Sequence, residues 1–334
     1  MVKQILTEDE HLVQEYLTRL SPGWFSAAED EGGAIYADSV ASALYAKNIG
    51  IRSLLQLAAP KYDLPVLDLL GGSGQIARAA SAYSLCDYSR NIITADIEIY
   101  QIRLAIADAL PAVPLDATDL EILKSDSLAS IIISYGIHHI SPEERSKLAD
   151  QAAPKLVKGG TLLLYEAVAG SVGERISSMI VDKLTAKPHL HAHPSRTDLV
   201  SMCDHPQLTP PKLYPIFDPQ IFLGANADEA IRLARHYYIK HYALPPWMEW
   251  SDLLPQLDAV LSMDDGDPVT SNMRVECKRL SISPSNVYIG RTPNDVRSIT
   301  SDGHVRPQAA YCVLVPRDGL AVRTERHGSS RNSI

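Results

Sequence analysis

From Leu64 to Val168 the chain alternates short apolar runs with helical stretches, and this alternation restricts the fold more than any other feature. The runs are VLDLL from Val66, NIITAD ending at Asp96, VPLDA from Val113, LASIIIS from Leu128 and TLLLYEAV from Thr161. Strands this apolar are buried on both faces, which implies a parallel sheet with helices on either side. QIARAASAY, residues 99–109 and a segment opened by Ser141-Pro142-Glu143-Glu144 supply the helices, the last with a serine cap before proline. Right-handed crossovers then give a doubly wound, mostly parallel α/β sheet over about 60–168.

Around that centre the organisation is less regular. Helical periodicity over 8–20 and 39–58 predicts an N-terminal helical region, 1–60, before an α/β core at 61–170. Residues 171–284 read as a helical insertion or lid, with helices at 171–186 and 226–242 and a Pro- and His-rich stretch between them. NVYIG at 286–290 and AAYCVLV at 309–315 read as strands that complete the sheet within 285–316, leaving 317–334 as a mobile tail.

Composition narrows the class of partner. With 31 basic against 40 acidic residues the net charge is −9, which offers neither nucleic acid nor an anionic membrane an electrostatic footprint. No apolar run approaches the roughly 20 residues of a membrane span, and acids occupy the N-terminus where a signal peptide needs an apolar stretch. Four dispersed cysteines form no CxxC. The expectation is a cytoplasmic protein acting on a small molecule.

The chemistry concentrates at strand ends. VLDLLGGSG places Asp68 on a strand and Gly71, Gly72 and Gly74 in the turn before a helix, a device that brings backbone N–H groups close to a ligand. Asp96 follows 22 positions after Gly74, where an acid accepts hydrogen bonds from a ribose diol. Asp116 and Ala117 end the third run, and SYGIHHIS (134–141) ends the fourth. Taken together, these segments resemble the class I S-adenosylmethionine-dependent methyltransferases, in that family's usual order over about 110 residues.

The resemblance implies a Rossmann-like methyltransferase core and S-adenosyl-L-methionine as cofactor, held by Asp68, Gly71, Gly72, Gly74, Asp96, Asp116 and Ala117. It departs from the family's acid-x-G-x-G-x-G at one position, where Leu70 replaces the first glycine. A competing match is Gly72-Ser73-Gly74-Gln75-Ile76-Ala77, the G-x-G-x-x-G/A dinucleotide fingerprint. Asp68 within the strand, VPLDA and the His pair count against it.

For catalysis, His138 and His139 are candidate general bases because imidazole titrates near neutrality, and adjacent side chains are expected to diverge so that only one faces the site. Tyr135 shares that strand end. The aromatic segment HYYIKHYALPPWMEW offers Tyr237, Tyr238, Tyr242 and Trp247 either as a substrate-binding wall or as packing for an accessory helix. His189, His191 and His193 alternate as a metal triad would. Flanking prolines and the lack of a neighbouring carboxylate or Cys lead to an expectation of no metal.

The predicted activity is methyl transfer to O, N or C of a small-molecule acceptor, without nucleic acid or membrane as partner and with a homodimer left open. The rivals are transfer of the 3-amino-3-carboxypropyl group from the same cofactor, and a non-catalytic binding module.

Overall fold

The computed structural model describes residues 1–20, 38–58, 64–86, 89–185, 188–216, 218, 220–261, 263, 272–278 and 311–313. Its centre is a seven-stranded sheet of β1 (Val66–Leu69), β2 (Ile92–Asp96), β3 (Ala112–Pro114), β4 (Leu128–Ser134), β5 (Leu156–Glu166), β6 (Lys212–Ile216) and β8 (Asn272–Lys278), in the order β3-β2-β1-β4-β5-β8-β6. Pairings among β1 to β5 are all parallel, and β8 runs antiparallel to both β5 and β6. This is the doubly wound α/β arrangement that the alternating pattern predicts. Strand order reverses between β1 and β4, and open sheets of this kind form a ligand crevice at that reversal.

Alternate strand residues enter two different cores. Leu67, Leu69, Ile93, Ile131, Ile133 and Leu164 pack on one side of the sheet, and Val66, Ile92, Ile132, Leu163 and Tyr165 on the other. Both faces are therefore dry, the condition under which the runs need no polar residue at every second position.

Three readings of the sequence need correction. The sheet is completed by β8 and β6, from within the stretch read as a helical insertion, because NMRVECK alternates charged and uncharged residues instead of forming an apolar run. Pro215 is accommodated in β6 because that strand lies at the sheet edge. Of the C-terminal candidates, only 311–313 is described. It forms β9, which pairs with β7 (Phe222–Gly224) in a separate two-stranded sheet, while 286–290 and 317–334 lie outside the described residues. The helix expected over 39–58 breaks into turns at 43–47 and resumes as Asn48–Ala58. Among the described residues no helix is long and apolar enough to cross a membrane.

The Glu10–Arg19 helix starts where the Asp9 carboxylate accepts the Leu12 N–H. Its buried Tyr16 reaches the tip of β3: the hydroxyl donates to Asp119 O at 2.7 Å and accepts from Asp116 N–H at 2.8 Å. Tyr16→Phe leaves two backbone groups unpaired and is expected to cost about 1–3 kcal/mol. Denaturant titration of the variant checks this, and a midpoint within error of the parent would contradict it.

Candidate functional site

The crevice is built from the carboxyl ends of β1, β2 and β3. After β1 the chain turns through Leu70 (φ 60°), Gly72 and Gly74 (φ 91°) into the Gln75–Ala82 helix. Gly71 is required by space: an added Cβ would lie 2.8 Å from an Asp68 carboxylate oxygen and 2.9 Å from the Thr94 methyl. The loop is tied to β2 by Gly71 N–H on Ala95 O at 2.9 Å and by Gly72 N–H on the Asp96 carboxylate at 2.8 Å. Asp96 also accepts the Glu98 N–H at 2.9 Å, and Leu115 N–H donates to Asp96 O at 3.0 Å. The tips of β1, β2 and β3 therefore form one connected edge.

Asp68 is buried, and neither of its carboxylate oxygens has a hydrogen-bond partner. Burial pushes its pKa well above the usual carboxylate range, and the nearby Asp96 adds to the rise. Asp96 is itself raised by burial, against the pull of the backbone N–H groups it accepts. Asp116 uses one carboxylate oxygen to accept from Thr118 N and Oγ1, and Ala117 is buried behind it. All seven residues proposed for the cofactor lie on these strand tips and the loop that joins β1 to its helix.

Leu70 has an identifiable accommodation. It adopts a left-handed conformation that costs a non-glycine residue about 1–2 kcal/mol, and its side chain packs over Gly136, where an added Cβ would meet Leu70 Cβ at 3.2 Å. The side chain at position 70 is thus matched by a glycine just beyond β4.

Next to this, Tyr135 also has positive φ (57°), and its hydroxyl donates to Asp218 at 3.0 Å. Tyr165 donates to the same oxygen at 2.9 Å, while Gly50 N–H binds the other at 2.9 Å. Gly50 permits this approach, since a Cβ there would sit 2.2 Å from the Tyr135 hydroxyl. Lys47 lies over the Tyr135 ring at 4.1 Å. Burial lowers its pKa to about 8, against the opposing pull of Asp218 and Glu166. Lys47, Gly50, Tyr165 and Asp218 had no recognisable signature in the sequence.

His138 and His139 do not diverge. They occupy a 3-10 turn at Ile137–His139, and their rings lie 4.2 Å apart. His138 Nδ1 is 3.0 Å from Glu166, the last residue of β5. Burial pushes Glu166 up, but His138, His193 and the Ala167 N–H together draw it down to about 2. His139 is held well below the usual imidazole range by burial and by its neighbours His138 and His189. His189 and His193 join this cluster and His191 does not, so carboxylates do accompany the histidine loop, supplied by Glu166 and Asp182.

The aromatic segment packs mostly as core. Tyr237 and Tyr238 are fully buried with Phe222, Leu253 and Leu257, and Tyr242 accepts a hydrogen bond from Gln220 at 3.1 Å. Trp247 is 71% exposed. Of the two readings of this segment, Tyr237 and Tyr238 follow the packing one, buried by helical spacing, while Trp247 follows the Pro245-Pro246 turn outward.

The fold defines a doubly wound α/β protein that gathers buried carboxylates and a glycine loop at the reversal of strand order. No family model and no curated protein matches the sequence. Among solved structures the chain is similar to the YcgJ protein of Bacillus subtilis, at 18% identity and TM-score 0.45, over 70% of this chain and 98% of that one. It is similar to a SAM-dependent methyltransferase of Archaeoglobus fulgidus at 13% identity and TM-score 0.45, covering 70% and 94% of the two chains. The [4+2]-cyclase SpnF matches at 12% identity and TM-score 0.46, covering 71% and 82%.

Two outcomes follow from the site. A raised folded-state pKa means the Asp68 contribution to stability is present below pH 3.8 and is lost as pH rises toward the folded value. Asp68→Asn should therefore stabilise the ligand-free protein at pH 7 by about 1–3 kcal/mol, and by nothing near pH 3.5. Melting curves at the two pH values decide it, and equal shifts at both would sink the assignment. Gly136→Ala should destabilise by crowding Leu70, but much less in a Leu70→Gly background. The expected coupling is about 0.5–3 kcal/mol, and strict additivity would show that the two do not share space.

Proposed function

We propose that the chain is an S-adenosylmethionine-dependent methyltransferase for a small-molecule acceptor. The observation that carries this reading is the buried, partnerless Asp68 carboxylate beneath a glycine loop at the strand reversal. Such a carboxylate is costly unless a ligand brings a cationic or hydrogen-bond-donating group to it. The ammonium of the cofactor's methionine arm fits that requirement. Asp96 offers its carboxylate to the ribose hydroxyls, and Asp116 with Ala117 closes the adenine side, where Tyr16 braces the backbone.

When bound, S-adenosylmethionine supplies a sulfonium-activated methyl group. The residues of this chain align the acceptor and handle its proton, and alignment alone can lower a barrier substantially. We assign the acceptor side to Tyr135 and Lys47, because the tip of β4 borders Leu70 and Lys47 brings a buried cation with pKa about 8. An anionic or enolisable acceptor suits such a group. His139, neutral because its pKa is depressed, is the proposed general base. The net acidic charge supports a small molecule over nucleic acid, and a cytoplasmic location accords with the same reading.

The left-handed Leu70 keeps one alternative open, transfer of the aminocarboxypropyl group, because a side chain now stands where a glycine would lie beneath the methionine arm. Analysis of the sulfur product separates the two: S-adenosylhomocysteine supports methyl transfer and methylthioadenosine supports the alternative. Calorimetry tests the site itself. Asp96→Ala is expected to weaken S-adenosylmethionine binding by the about 1.5–3 kcal/mol of a hydrogen bond to a charged group, roughly 10- to 150-fold. Unchanged affinity would remove Asp96 from the site.

A further inference from the structure

At the carboxyl ends of β4 and β5, beside the crevice, imidazoles gather in a number that the proposed reaction does not use. The His138 ring lies 4.2 Å from that of His139, 4.9 Å from that of His189 and 4.4 Å from that of His193. Two groups of three share His138, one with His139 and His189 and the other with Glu166 and His193. In each, one ligand atom per residue lies within 4.8 Å of the others.

The second ring nitrogens are oriented by oxygen acceptors. His138 Nδ1 faces Glu166 at 3.0 Å, His189 Nδ1 faces Asp182 at 2.6 Å and His193 Nδ1 faces the Ala167 carbonyl at 3.1 Å. A ring nitrogen facing an oxygen acceptor carries the proton, which leaves the lone pair on Nε2. Carboxylates and carbonyls hold metal-binding histidines in this same way. His193 is 94% buried by its side chain, 6% exposed, and its Nε2 meets no hydrogen-bond partner.

The cluster joins two parts of the chain. Glu166 ends β5 and His138 lies in the 3-10 turn after β4, whereas His189 and His193 come from the loop before the Arg196–Ser201 helix. Arg145 already bridges these parts, its guanidinium donating to Ile140 O at 2.8 Å and to Ala192 O at 2.8 Å.

We propose that this cluster binds one divalent transition-metal ion of the zinc class, with His138 as the ligand from the strand side and His189 and His193 as those from the loop. Imidazole ligands without thiolates select Zn²⁺, Ni²⁺ or Co²⁺ over the oxygen-seeking Mg²⁺ and Ca²⁺. The rings of His189 and His193 lie 5.9 Å apart and meet through His138, so binding one tetrahedral ion, with Zn–N bonds of about 2.0–2.1 Å, draws the two loop histidines toward each other. The ion thereby clips the 188–195 loop onto the tips of β4 and β5.

The test uses the full chain, stripped with a chelator and titrated with Zn²⁺ alone. One equivalent should bind, unaffected by a large excess of Mg²⁺, and Co²⁺ should give the visible absorption of a nitrogen-ligated site. His189→Ala, on the loop, should weaken Zn²⁺ at least about tenfold, and so should His193→Ala. Hydrogen exchange in 188–195 should slow with Zn²⁺ in the parent and not in either variant. No saturable Zn²⁺ binding, equal competition by Mg²⁺, or full affinity in both folded variants would overturn the proposal. The titration contains no S-adenosylmethionine, so its failure leaves the cofactor reading standing, and failure of that reading leaves the metal result standing.

Discussion

The hydrogen bond from Gly72 N–H to the Asp96 carboxylate, 2.8 Å long, joins the loop after β1 to the end of β2 at the crevice floor. Together with the Gly71 N–H bond to Ala95 O it ties down the glycine turn beside the buried Asp68. Both carboxylates at this floor are buried, which raises the pKa of each, and Asp96 adds to the rise at Asp68. The sheet supplies the rigidity for this, since β1 is paired on both sides, by β2 and by β4. A site with two buried acids in the ligand-free chain stores unfavourable desolvation that a cationic, hydroxyl-bearing ligand relieves.

The remainder of the site consists of accommodations to that floor. Leu70 stands where the loop would favour a glycine, and Gly136 on the neighbouring strand tip makes room for it. Tyr135 follows directly in a left-handed conformation, with its hydroxyl anchored on Asp218. Strained residues at adjacent strand tips are expected where geometry serves a ligand more than stability. The break in the helix expected over 39–58 belongs with these features, because it delivers Lys47 and Gly50 to the Tyr135–Tyr165–Asp218 group.

Much of this was legible in the sequence wherever a local rule sufficed. The apolar runs identified β1 to β5 because both faces of those strands are dry. Asp96 and Asp116 were legible because they lie at the ends of such runs, and Asp68 because it interrupts one just before the glycine turn. What escaped depends on partners distant in sequence. Asp218 sits in a loop with no pattern, and its meaning comes from two tyrosines 83 and 53 positions away. The β8 strand escaped because its alternation includes charges. The histidine loop was read without its carboxylates because Glu166 is supplied by β5. The pair His138–His139 was misjudged because divergence of neighbours holds for extended chain, and the structure has a 3-10 turn there.

The central claim is that strand tips β1 to β3 form an adenosyl-binding crevice with Asp68 at its charged end. Native mass spectrometry of the folded protein, incubated in turn with S-adenosylmethionine and with a nicotinamide dinucleotide, tests it most directly. The account predicts a one-to-one adduct with the first, lost in a Gly71→Leu variant that fills the floor, and none with the second. Retention of the dinucleotide, or an S-adenosylmethionine adduct indifferent to the Gly71 substitution, would contradict it.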